Sequence, residues 1–91
     1  MANPKWPDKD PNEVLDYSID WSARLDSDTI ATSTWILPTG ITTSSNSNTT
    51  TKTTVWLSGG TVGSKYTITN RITTAGLRTM DQSVDLKIKD R

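Results

Sequence analysis

The 91-residue chain contains no Cys, no His and no Phe. Without Cys it has neither a disulfide framework nor a thiolate nucleophile, and a secreted domain this small more often carries a staple, so the absence leans towards an intracellular birthplace. Without His it lacks the commonest general base and the commonest metal ligand, and with both types missing, zinc and iron–sulfur sites have no ligand set. The stretch from Met1 to Asp10 holds no apolar run of signal-peptide length, and no run anywhere approaches the ~18 apolar residues of a membrane span. Ten basic and ten acidic side chains cancel. That balance offers no footprint for nucleic acid and no polybasic patch for a membrane.

What is present is threonine. Seventeen Thr residues, together with Ile, Val and four Trp, favour pleated and half-exposed surfaces over helices. Val, Ile and Leu fill only 17 positions. The Trp and Tyr rings add large buried areas, so one thin two-layer core is feasible within a single domain. Low aliphatic content without an excess of charge argues for a folded chain.

The run Val62 to Thr73 is the most informative. Gly63 makes a turn, Tyr66 follows, and strict alternation then places Tyr66, Ile68 and Ile72 on one face and Lys65, Thr67, Thr69 and Arg71 on the other. That is a half-buried strand entered through a corner. Immunoglobulin-like sandwiches fold a Tyr hydroxyl back onto upstream backbone near the start of the penultimate strand, and this spacing resembles that tyrosine corner. Gly63 and Tyr66 are therefore read as structural residues.

Further strands are expected over Val14 to Trp21, Thr29 to Leu37, a short piece from Ile41 to Thr43, Thr53 to Leu57, and about Leu77 to Lys89. In the second of these, Ile30 and Ile36 fall on one face and Ala31, Trp35 and Leu37 on the other, which predicts a bulge or burial on both sides. Ser44 to Thr50 is rich in turn formers and reads as a hairpin tip or mobile loop. Asp26-Ser27-Asp28 has turn-forming side chains. One helical turn at most is expected, at Asp10 to Glu13. The fold class is thus all-β: an immunoglobulin-like antiparallel β-sandwich of six to seven strands over 14–91, preceded by an extended arm over 1–13 that carries Pro4, Pro7 and Pro11.

Candidate chemistry is sparse. Asp26 and Asp28 lack the Gly and terminal Glu of an EF-hand loop. Paired carboxylates for glycoside hydrolysis would need a cleft that a sandwich of this size rarely provides. Ser58-Gly59-Gly60-Thr61 resembles a phosphate loop without the helix and Lys that one requires, and Asn48-Thr49-Thr50 matches a glycosylation motif by chance. No catalytic residue, metal or cofactor is expected. The aromatic residues carry what remains. Trp21 and Trp35 are expected in the core. Trp56 opposes Val55 and Leu57, so it lies either inside a doubly buried strand or outside as an interface anchor. The arm is either a frayed tail or a docking segment in which Trp6, Pro7 and Pro11 meet a neighbouring protein.

The segments Asp10 to Trp21, Asp28-Thr29-Ile30, Ser33-Thr34-Trp35, Val55 to Thr61 and Asn70 to Thr74 resemble a family of short virion proteins of tailed bacteriophages, the fibre–tail adaptor-like proteins. The similarity covers about residues 9 to 89. The resemblance implies a virion component with an immunoglobulin-like fold. With no catalytic set in the sequence a non-enzymatic role is expected, the Cys-free chain without a signal-like run is expected to be made in the bacterial host cytoplasm, and Met1 is read as the start of a complete reading frame. Expected partners are other virion proteins of the tail, connector, fibre or capsid, with the chain present as a homo-oligomer or in many copies, and with neither nucleic acid nor membrane. An adaptor linking tail fibres to the tail or connector is the leading role. A capsid decoration protein and a carbohydrate-binding module are the alternatives.

Overall fold

The computed structural model describes residues 4–90. Six strands and one short helix follow in order: β1 (Leu15–Asp20), α1 (Ser22–Leu25), β2 (Ile30–Ile36), β3 (Ile41–Asn48), β4 (Lys52–Gly59), β5 (Lys65–Thr74) and β6 (Thr79–Lys87). They form two three-stranded antiparallel sheets, β1-β4-β3 and β2-β5-β6, stacked face to face. The β-sandwich predicted from alternation is therefore the fold. The chain crosses between the sheets at the β1–β2, β2–β3 and β4–β5 connections, while β3–β4 and β5–β6 are antiparallel neighbours within one sheet.

Alternation explains which faces are buried. Tyr17 and Ile19 on β1, Val55 and Leu57 on β4, Ile68 and Ile72 on β5, and Val84 and Leu86 on β6 all point between the sheets. They divide into two clusters. One surrounds Leu57, Ile68 and Leu86; the other surrounds Trp21, Leu25 and Ile72. Trp21 is fully buried, as expected, whereas Trp35 is half-buried and packs against both clusters.

Between the sheets lies a polar tie. Asn70 occupies the inward phase of β5 between Ile68 and Ile72 and is completely buried. Its Oδ1 accepts from Trp21 Nε1 at 3.0 Å and from Thr53 Oγ1 at 2.7 Å, and its Nδ2 donates to Ser33 Oγ and Thr34 O, both at 3.0 Å. All four hydrogen-bonding positions of the amide are filled. One side chain thereby joins β5 and β2 to β4 and the end of β1.

The expected corner is present in its contact: the Tyr66 hydroxyl accepts from the Thr61 amide at 3.1 Å. Thr61 and Ser64 draw the phenol below its usual titration range. Gly63 stands at φ 86° in the turn before it and donates its amide to Ile88 O at 2.9 Å. Its positive φ, not space, demands glycine there, because an added Cβ would meet nothing.

Three expectations change. The single helical turn is at Ser22–Leu25, where burial of Leu25 beneath Trp21 fixes it; Asp10 to Glu13 instead closes a hydrogen-bonded turn in which the Glu13 carboxylate accepts from the Asp10 amide. The Ser44–Asn48 tract is not a loop but the greater part of β3, because backbone pairing to β4 asks nothing apolar of residues that stay in water on both faces. The final strand starts at Thr79, since Leu77, at φ 67° and 88% exposed, belongs to the preceding turn. The bulge predicted in β2 lies between Ile30 and Thr32.

Candidate interaction surfaces

The arm lies on its own sandwich. Residues 4–9 run parallel to β6: the Trp6 amide donates to Asp85 O at 3.0 Å and the Asp85 amide to Pro4 O at 2.9 Å, then the Lys9 amide donates to Lys87 O at 3.1 Å and the Lys89 amide to Lys9 O at 2.8 Å. This places the arm over the side of the sandwich where β1 and β6 are the outermost strands. The Trp6 ring turns inward there, stacks on Tyr17 at 4.7 Å between centroids and stands 6.1 Å from Trp35. Its Nε1 donates to Ser18 O at 3.3 Å. The Trp6 ring is thus engaged within its own chain while staying half-buried, because the gap beside β1 and β6 leaves aromatic surface that an indole covers.

Lys9 fastens the base of the arm. Although charged, it is completely buried, and its Nζ donates to Asp10 O and Gly59 O, both at 2.8 Å. Burial lowers its affinity for the proton, and the nearby Glu13 and Asp10 carboxylates oppose that shift. Of the prolines, Pro7 stays exposed while accepting a long 3.4 Å bond from the Tyr17 hydroxyl, and Pro11 is half-buried in the Asp10–Glu13 turn.

The two outer faces differ in chemistry. On β2-β5-β6 the face is ionic: Arg71 holds Asp81 through paired bonds of 2.8 and 3.0 Å, and Lys65 lies 3.8 Å from Asp85. The Arg71 guanidinium keeps the Asp81 carboxyl below its ordinary range. On β1-β4-β3 hydroxyls fill the middle of the face, with Asp16, Asp20 and Lys52 exposed along its β1 side. Ser18 and Thr54 meet across β1 and β4 at 3.0 Å, and Thr42 and Ser58 across β3 and β4 at 2.8 Å. In the middle strand of that face stands Trp56, flanked by Asp16 and Ser45 and 41% exposed. The alternation of β4 forces this, since Val55 and Leu57 are wholly inside.

Among the described residues no three His, Cys, Asp or Glu side chains are placed to hold a metal ion, and no helix is long and apolar enough to cross a membrane. Sequence reasoning missed Lys9, whose burial leaves no trace in a polar arm. It also passed over Asn70, although a polar residue in the inward phase of an apolar strand was the visible sign. Trp35 Nε1 is the single buried side-chain polar atom without a partner among the described residues.

No curated protein matches the chain. Residues 9–87 match the family model described as podophage GP4 fiber-tail adaptor protein gp77, a span that begins at the Lys9 clamp, takes in all six strands and leaves the Trp6 tip outside. With most of its length inside that match, this chain belongs to the podophage fibre–tail adaptor family, a family of phage structural proteins.

Proposed function

We propose that the chain is a non-enzymatic virion adaptor that links a tail fibre to the tail or connector of a podophage particle, and that Trp56 anchors the contact. The observation carrying this reading is the exposure of that indole on the middle strand of its sheet, between Asp16 and Ser45. Trp is enriched among residues that dominate interface affinity, and a ring held on a rigid central strand loses little conformational entropy on docking. The exposed Pro7 extends the same role to the arm, with Pro11 fixing the angle at which the arm leaves the sandwich. Direct partners are other virion proteins, and the chain is present in several copies fixed by the symmetry of the tail.

Particle reconstruction tests the position. Density for the sandwich at on the order of six or twelve copies around the tail, as closed symmetry gives, is the expected result; on the order of hundreds of copies on the capsid would replace the adaptor with a decoration protein. Trp56→Ala tests the anchor. The variant keeps its strands and its unfolding midpoint, while affinity for the isolated tail falls about thirtyfold, the effect of losing a hot-spot side chain worth ~2 kcal/mol. Undiminished binding would remove Trp56 from the contact.

A further inference from the structure

From Thr29 to Thr51 no residue is charged, in a chain where 22% of residues are. That segment contains the whole of β2 and β3, which are the outermost strands on one side of the sandwich, one in each sheet. The opposite side is its converse: β1 and β6 carry Asp16, Asp20, Asp81, Asp85 and Lys87, and the arm lies over them. Charged side chains, prolines and covering segments are the devices that stop a sheet edge from pairing with another chain. Here the covered side has charge as well as its covering arm, and the open side has no charge at all.

Of the two open strands, β3 is the more accessible. Every residue from Thr42 to Asn48 is exposed, including Thr43, Asn46 and Asn48, which lie opposite the buried or core-facing positions Leu57, Val55 and Thr53 of β4. The strand therefore projects past the facing sheet, and an added strand would meet no wall. A register shift between Thr43 and Ser45 kinks its first half, whereas Ser45–Asn48 is regular.

We infer that the Ser45–Asn48 edge pairs antiparallel with the same edge of a second copy, joining two sheets into one of order β1-β4-β3-β3-β4-β1. Self-pairing fits the chemistry of this edge. Ser, Thr and Asn side chains would face Ser, Thr and Asn, continuing across the two-fold axis the hydroxyl pairs that already bridge Ser18 to Thr54 and Thr42 to Ser58 within the sheet. A charged partner strand would find no countercharge there. The joined sheet would present two Trp56 rings on one continuous face. The pairing stands apart from the adaptor role, since it needs no other virion protein.

The test uses the full chain alone. Sedimentation equilibrium across a dilution series is expected to resolve monomer and dimer, and Asn46→Lys with Ser47→Lys, which sets like charges across the axis, raises the dimer dissociation constant about tenfold or more at unchanged unfolding midpoint. Because the chain has no Cys, a Cys scan of 45–48 supplies a second readout: oxidation links two copies at these positions and not at a Cys placed at exposed Thr61. A chain that stays monomeric to about 1 mM and forms no linked species overturns the inference. So does a dimer that persists in the double Lys variant, or a β3 edge that cross-links in the particle only to a different virion protein.

Discussion

Asn70 and Asp28 show how single polar side chains hold a thin sandwich together. Asn70 is enclosed by groups that have no other route to satisfaction once water is excluded, Ser33 and Thr34 from one sheet and Trp21 and Thr53 from the other. Asn70→Ala leaves several of them unpaired and is expected to lower the unfolding free energy by about 3 kcal/mol, read from urea midpoints, against less than about 1 kcal/mol for exposed Asn46→Ala. Asp28 works through charge. The Thr74 hydroxyl, the amides of Thr29 and Gly76 and the Arg78 guanidinium hold its carboxyl at about 2, below its ordinary 3.8. A folded value below the unfolded one means that the contribution is complete above 3.8 and is lost as pH falls through about 2. Asp28→Asn should therefore be less stable than the parent at neutral pH, and the gap between their midpoints should shrink as both are titrated towards pH 2. A gap that stays constant would show that the carboxylate's charge contributes nothing.

Among the elements, the arm is the one whose behaviour the sequence hid. Three prolines and a lack of pattern announced an extended segment, and that much was legible. Its seat was not, because parallel pairing to β6 uses backbone groups and the ring of Trp6 finds its partners, Tyr17 and Trp35, far away along the chain. Trp6→Ala is expected to cost about 2 kcal/mol, less than the ~3–5 of a wholly buried Trp, while the six strands persist in far-UV circular dichroism. An unchanged midpoint would mean that the tip does not hold its seat in solution. The strands with an apolar stripe, β1, β4, β5 and β6, could be read from alternation because burial of one face imposes period two. For β3 that signal vanishes: a strand in water on both faces needs only backbone partners, so its Ser, Thr and Asn residues look the same as those of a loop.

On the scale of the whole molecule, each side of the sandwich has its own character. One side is charged and closed by the chain's own arm; the other is neutral and open; of the two broad faces one is ionic and one has hydroxyls across its middle and exposes Trp56. Alternation and the Tyr66 corner made the architecture legible, but the arrangement of these surfaces depends on which strands become neighbours, and that is fixed by non-local pairing such as β1 with β4 and β2 with β5. The same topology gives a chain rich in distant contacts, for which slow folding is the rule.

The stack of Trp6 on Tyr17, with Trp35 at 6.1 Å, has an optical consequence. Indole rings held this close at a fixed tilt couple their intense far-ultraviolet transitions, so the seated arm should give a far-ultraviolet dichroic couplet that disappears when the tip lifts away. The chain thus carries its own gauge of arm position, readable without any label.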